Sequence, residues 1–406
     1  MASNVLLGFD QYEDDKVQQK GGLYHFTPKN QYSVKNNPLC GICFPQWLAI
    51  LRKRYRQIEW IKYWPRLLFI TFMSILHSLL AFPEWLLYGR QVDTTDLHPT
   101  PVFILGHPRT GTTLLHSLLG LDDDQFALCT TFCAGFPSCF LWFEWIGKRI
   151  FGGIMDEHRP MDKVKLDFDL PQEDEIATNV LSAGVSPYMP LFFMSYETDF
   201  RPYYAFDQAA TPELAAARKQ WITSFLHLCH KLTLRSKLRH KGTRLLLKSP
   251  VHTARIPLLL SLFPEAQFIY LHRHPVDVFQ SAAHMADTTY WFTYLQSPTD
   301  AEIQEFILYQ YELLWEKYEA GRELLTAKQY VEVAYDELLN HPVEAVGRIY
   351  QHFGWCMSDD MQRKLRSEAQ VSFPCNRHCA LPKALQQVVE ERWRPSLERL
   401  GYSKRK

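Results

Sequence analysis

The chain has 406 residues, 47% of them hydrophobic, enough to bury a large core in one big α/β domain with an N-terminal extension or in two modest domains. Its 44 Lys and Arg balance 44 Asp and Glu, so no global field recruits nucleic acid, and any anion has to be held by a local cluster. Nine cysteines scattered through a long chain exclude a small disulfide-stapled domain and point to reduced thiols.

Residues 1–45 mix Gly, Pro, Asn, Asp and Lys without an apolar repeat and read as an irregular arm. The opening MASNVLLGFDQYEDDK lacks the basic and apolar regions of a secretory signal, so a cytoplasmic chain is expected. Cys40 and Cys43 form a C-x-x-C, and Cys375, His378 and Cys379 a second cluster. Neither has a matching partner pair nearby, and ordinary thiols without a metal are expected. Residues 46–91 follow a helical pattern rich in Trp, Leu, Ile and Phe. Within it, 67–82 (LLFITFMSILHSLLAF) is interrupted by His77 and falls short of the ~20 apolar residues of a spanning helix. Arg52, Lys53, Arg54 and Arg56 precede it, and Trp85 and Tyr88 follow it. Three readings stand: a peripheral helix on a membrane surface, a buried or acceptor-covering helix, and, third, a membrane span.

Residues 101–120, PVFILGHPRTGTTLLHSLLG, read as a buried parallel strand at 102–105, a loop bounded by Gly106 and Gly111, and a helix opened by Thr112, Thr113 and Leu114. The first amides of such a helix have no partner inside it, and with the helix dipole they cradle an oxyanion. Against the pattern G-x-x-x-x-G-K-[ST], Gly106, Gly111 and Thr113 match, but Thr112 stands where the lysine belongs, which disfavours a nucleoside triphosphatase. Arg109 supplies the cation instead, with a fork that can engage two oxygens. A plain glycine turn would explain the two glycines, though not their coincidence with Pro108, Arg109 and the threonine pair.

The aromatic run Phe140, Trp142, Phe143, Trp145 and Phe151 suits a core or the wall of an acceptor cavity. Pro171 then precedes Glu173, Asp174 and Glu175 at a helix start, where capping accounts for two of the three carboxylates. Residues 211–237 form a helical pattern with Thr211 as N-cap and Pro212 at the first position. A strand at 243–248 ends in Lys248, Ser249, Pro250, Val251 and His252, where ligands of open parallel sheets gather. Another at 268–271 is followed by Arg273 and a helix carrying Ser281. A helix at 305–325 and a strand at 329–333 complete the pattern.

These blocks resemble the sulfotransferases that use 3'-phosphoadenosine 5'-phosphosulfate as donor. PRTGTT at 108–113 is similar to their first loop, P-[RK]-[ST]-G-[ST]-[ST], and ILGHPRTGTTLLHSLL to the branch whose loop reads L-G-x-P-R-T-G-T-T-L-L. Arg273 and Ser281 stand at the interval of the pair that holds the donor's 3'-phosphate in the cytosolic enzymes. Pro171 to Glu175 and Ser186, Pro187 and Tyr188 match a P-x-E-D-E stretch and an S-P-Y.

The resemblance covers roughly 101–402 and implies a P-loop-like parallel sheet flanked by helices. It places a catalytic domain at 99–406 behind an irregular and helical extension at 1–98. Pro108, Arg109, Thr110, Gly111, Thr112 and Thr113 would hold the 5'-phosphosulfate, with His107 near the sulfonate. Lys248 and Arg109 would stabilise the leaving charge, and no metal is required. Glu173 or His252 would be the base, although the family's lysine-to-histidine interval is two and here it is four. Asp174 and Glu175 would then cap the helix or meet solvent. Arg377 and His378 stand in the position of the last donor loop, without its glycine-rich motif. The acceptor would be a hydroxyl of a lipid-like alcohol or a carbohydrate. Two rivals differ in class: a P-loop kinase, which would need the loop lysine, and a non-catalytic, membrane-associated binding protein on the same fold.

Overall fold

The computed structural model describes residues 22–34, 37–153, 167–207, 211–370 and 380–402. In chain order the helices and strands around the site are α1 (Phe44–Arg54), α2 (Trp60–Asp93), β1 (Val102–Leu105), α3 (Thr112–Leu119), β2 (Phe126–Leu128), α4 (Phe140–Phe151), α5 (Asp174–Leu181), α6 (Pro212–Leu238), β3 (Arg244–Lys248), β4 (Gln267–His272), α7 (Pro275–Thr289), α8 (Asp300–Arg322) and β5 (Tyr330–Ala334).

The five strands form one parallel sheet of order β2-β3-β1-β4-β5. β1 is fully buried because helices cover both faces, which is why its sequence is a continuous apolar run. Phe103 and Leu105 pack on one side with Leu245, Leu247 and Phe268, and Val102 and Ile104 on the other with Leu246 and Ile269. In register, Ile104 pairs with both Lys248 and Ile269, and Leu105 with Tyr270. The carboxyl ends of β3, β1 and β4 therefore finish side by side and bring the three sequence blocks to one edge. The edge strand β2 is not visible in the sequence, since three residues are too few to show a period.

Local signals set the helix starts. The Thr211 hydroxyl accepts from the Leu214 amide at 3.2 Å and Pro212 opens α6, while Thr299 and Glu302 form a capping box ahead of α8. The helical extension contains α2, 34 residues with a kink at Tyr63 beside Pro65. One face buries Leu67, Ile70, Met73 and His77, while Leu68, Phe72, Ile75 and Leu79 are exposed, so the helix is neither wholly buried nor wholly free.

Burial also sets a pH limit. His77, His107 and His116 are buried, and burial lowers them from 6.5 to about 4, about 3 and about 3, with nearby Lys248 adding to the effect at His116. Below the unfolded value the unfolded chain takes up protons that the folded chain refuses. Their contribution is therefore present above pH 6.5 and is lost as pH falls toward 4, by about 1.4 kcal/mol per pH unit for each imidazole. Thermal melts across this range should show Tm falling on the acid side, and a Tm independent of pH there would contradict the assignment.

Candidate active site

The loop after β1 is shaped by close approach. Gly106 has φ 142°, and a Cβ there would lie 2.5 Å from the Leu271 carbonyl oxygen. Gly111 has φ 95°, and its Cβ would fall 2.4 Å from Cδ2 of Tyr335. Arg109, between them, takes φ 75°, a conformation uncommon for a residue with a side chain. Inside the loop the Thr110 hydroxyl donates to the His107 carbonyl at 2.8 Å, and the Gly106 amide donates to the Thr253 hydroxyl at 2.9 Å. The loop thus delivers the first turn of α3, with the amides of Thr112, Thr113 and Leu114 unpaired within the helix at its positive end.

Two loop residues turn inward. The His107 ring is buried against Tyr311, 4.8 Å between ring centroids, and its Nδ1 lies 2.7 Å from the Pro108 carbonyl. It packs into the core beside the loop, near Tyr311 and Trp393. Thr110 is buried too, its hydroxyl engaged as a brace. Pro108 is half-buried at the loop's crest.

At the end of β3, Lys248 is only 1% exposed. Its Nζ lies 2.7 Å from Glu173 Oε1 and 3.3 Å from the Thr113 hydroxyl, so it spans from the acidic helix start to the donor-loop helix. Glu173 is the N-cap of α5, with extended backbone and no side-chain capping bond. Its carboxylate instead points away from the helix and takes a second bond, from the Tyr188 hydroxyl to Oε2. Burial, and then the adjacent Glu173 charge, push the Tyr188 phenol well above its ordinary value, so it stays protonated as a donor.

Asp174 and Glu175 do not meet solvent; both are 0% exposed. A buried carboxylate needs a partner for each oxygen, and both find them in the segment after β3. Asp174 stands 2.7 Å from His252 Nε2 and accepts from the Ser249 hydroxyl at 3.2 Å. Burial raises the Asp174 carboxyl, but His252 and Ser249 outweigh it and hold the group below its ordinary range. Glu175 receives Arg255 at 2.7 and 3.3 Å, Ser186 at 2.7 Å and the Trp221 indole at 3.2 Å. His252 itself has no exposed surface, and its ring lies among Phe103, Trp221 and Phe225. Thr253 and Arg255 were not singled out from the sequence. The signal available was their crowding within eight residues of a strand's carboxyl end.

After β4, the Arg273 guanidinium lies 4.6 Å over the Tyr335 ring, and its Nη1 is 3.4 Å from the Arg109 carbonyl. Ser281, buried on α7, accepts from Arg109 Nε at 3.0 Å. Arg109 thus reaches Ser281, and the first and third blocks form one basic cluster. Arg377, His378, Cys375 and Cys379 lie outside the described residues. Cys40 and Cys43 are both unbridged thiols, and burial pushes Cys40 up to about 12.

Comparison with known proteins bears on the family and the fold. The omega-hydroxy-beta-dihydromenaquinone-9 sulfotransferase Stf3 of Mycobacterium bovis, and its counterpart in Mycobacterium tuberculosis, are 29% identical over 368 residues, 90% of this chain and 91% of theirs. Two crystal structures share the fold at 18% identity. Sulfotransferase STF1 from Mycobacterium tuberculosis gives a TM-score of 0.58 over 86% of this chain and 91% of its own. Sulfotransferase STF9 from Mycobacterium avium gives 0.59 over 82% and 85%. Residues 101–359, more than half of the chain and all three blocks at the strand ends, match the model of the Sulfotransferase family, and the chain belongs to that family.

Proposed function

We propose that this enzyme moves a sulfuryl group from 3'-phosphoadenosine 5'-phosphosulfate to the hydroxyl of a lipid-like alcohol. The observation that carries the reading is Lys248, a buried ammonium shared between Glu173 and Thr113 at the mouth of the α3 amides. A cation for the leaving group and a carboxylate for the acceptor proton are thereby held within one hydrogen bond of each other. The 5'-phosphosulfate sits on the loop 108–113, through the amides of Gly111, Thr112 and Thr113. Arg273, Ser281 and Arg109 take the 3'-phosphate, a role for Arg109 suggested by its bond to Ser281.

In the transfer, one Glu173 oxygen accepts the acceptor's proton while the acceptor oxygen bonds to sulfur. The bond from sulfur to the bridging phosphate oxygen breaks, and Lys248 neutralises the charge that develops there. Donor phosphate competes with Glu173 for the Lys248 ammonium, which leaves the carboxylate free to act as base. Tyr188 holds the other oxygen in place. Asp174 and His252 serve as positioning residues that tie the start of α5 to the segment after β3.

The lipid-like acceptor is supported by the similarity to a sulfotransferase named for a menaquinone alcohol and by the aromatic α4. The loop ILGHPRTGTTLL supports the branch with the L-G-x-P-R-T-G-T-T-L-L motif, and residues 99–406 form the catalytic unit behind the extension at 1–98. Labelled donor with a panel of lipid alcohols and carbohydrates tests the acceptor class, and binding without transfer, or ATP binding, would favour the two rival readings.

The donor assignment has its own test. Calorimetry should show 3',5'-phosphorylated adenosine binding far more tightly than 5'-AMP. Arg273→Ala should remove about ten- to a hundredfold of that preference, the worth of one buried charge-assisted hydrogen bond. Equal affinity of the unaltered protein for the two nucleotides would sink the donor assignment.

A further inference from the structure

The outer face of α2 is apolar along nearly its whole length. Trp64, Leu68, Phe72, Ile75, Leu79 and Phe82 recur every three or four residues and are each 46–68% exposed. Trp85, Leu86 and Leu87 continue the stripe, and between 64 and 87 every exposed residue of the helix is apolar. At 1.5 Å per residue the stripe runs about 35 Å. Beside it, α4 presents Trp145 and Ile150, also more than half exposed. The two helices are clamped together, with the Trp142 indole donating to the Leu80 carbonyl at 2.8 Å and the Leu141 amide donating to Glu84 at 2.7 Å. A single exposed Leu needs no explanation; a contiguous apolar band of this length does.

The rim of the band is cationic. Residues 44–93 hold seven Lys and Arg, of which Arg54 and Arg66 are buried, against three acids, although the whole chain is balanced. Arg52, Lys53, Arg56 and Lys62 are exposed at one end, Arg90 at the other, and Arg149 lies beside it over the Trp145 ring. Two of the three acids are engaged elsewhere: Glu59 takes the Ser297 amide and hydroxyl at 2.6 Å, and buried Glu84 pairs with Lys231. The exposed carboxylate of α2 is Asp93, at its final residue.

We infer that this face docks on the surface of an anionic lipid bilayer, with α2 lying in the plane of the membrane. Apolar side chains on one face, Trp along it and cations at its margins are what the boundary between headgroups and acyl chains accommodates. A span is disfavoured by the other face of the same helix. Buried Arg66 donates to the carbonyls of Tyr294, Gln31 and Trp291, and Glu84 is paired with Lys231. Withdrawing α2 into lipid would break both sets and strand charges. Self-pairing about a two-fold axis would set one cationic rim against another.

The placement bears on access. Val180, near the end of α5, belongs to the same apolar cluster as Leu67 and Ile70 of α2, and the same short helix begins next to Glu173, about 10 Å along its axis. The apolar cluster behind the membrane-facing helix thus extends to the element that follows the candidate base. The docking itself stands on the surface alone and is read without donor or acceptor.

Flotation of the full chain with vesicles tests it. Most of the protein should rise with vesicles of phosphatidylcholine containing about a third phosphatidylglycerol, much less with phosphatidylcholine alone, and raised salt should release it. Phe72→Glu with Leu79→Glu should lower binding at least about tenfold, with circular dichroism melts showing a folded protein. Arg52→Glu, Lys53→Glu and Arg56→Glu together should abolish the preference for anionic vesicles. Protein left at the bottom of the gradient with both vesicle types would overturn the inference. So would unchanged flotation of the Phe72/Leu79 variant, retention at high salt as for a spanning helix, or a lipid-free dimer that the same substitutions dissolve.

Discussion

Glu173→Gln should lower single-turnover rates at saturating donor by about two to four powers of ten, the usual cost of losing a general base, while donor affinity is kept or rises. The amide has the shape of the carboxylate and can still accept the Tyr188 hydroxyl, so the site should stay assembled. What it lacks is the negative charge that takes the acceptor proton and that now holds Lys248 at 2.7 Å. With that charge gone, the buried ammonium has the Thr113 hydroxyl and the donor phosphate as partners, which is why affinity should not fall. His252→Ala should act differently: it strips Asp174 of a partner at 2.7 Å inside the core, so Tm falls and the rate changes less. A Glu173→Gln protein that turns over normally beside a dead His252→Ala protein would give the base to His252 and sink the assignment.

Lys248→Ala should cost about two to three powers of ten in turnover, the scale seen when a donor aimed at developing charge is removed. The pH profile separates this loss from that of Glu173→Gln. Removing a cation from beside a carboxylate favours its neutral form, so the acid limb of kcat should move to higher pH in Lys248→Ala. In Glu173→Gln the limb that belongs to the base should disappear. If the Lys248→Ala limb does not move, the lysine is not coupled to the base in the working enzyme, and the shared-ammonium mechanism fails.

Much of the site's framework was legible in the chain because it is local. A continuous apolar run, a glycine where no Cβ fits and a helix start within twelve residues specify a strand, a tight turn and exposed amides with no help from distant residues. The strands ending at Lys248 and before Arg273 followed from the same kind of signal, and so did the cap of α6. β2 was missed because its three residues carry no period and take their strand form from pairing with β3. The contacts of the His107 ring with Tyr311 and Trp393, far along the chain, were likewise not legible locally.

The acidic cluster marks the boundary most sharply. Glu173, Asp174 and Glu175 are chemically alike and adjacent, and by itself the sequence determined only that they open a helix. Their partners lie 75 to 80 positions away, and parallel packing of β3 beside β1 brings these into reach. Lys248, His252 and Arg255 each claim one carboxylate, so two are sealed in the core and one is left at the edge beside the donor loop. The outer face of α2 was decided the same way: its apolar periodicity is in the sequence, but which side meets protein depends on where Arg66 and Glu84 find buried partners. Short-range sterics and helix periodicity act within a few residues, whereas the neutralisation of a buried charge depends on whichever opposite charge the fold places within hydrogen-bond distance.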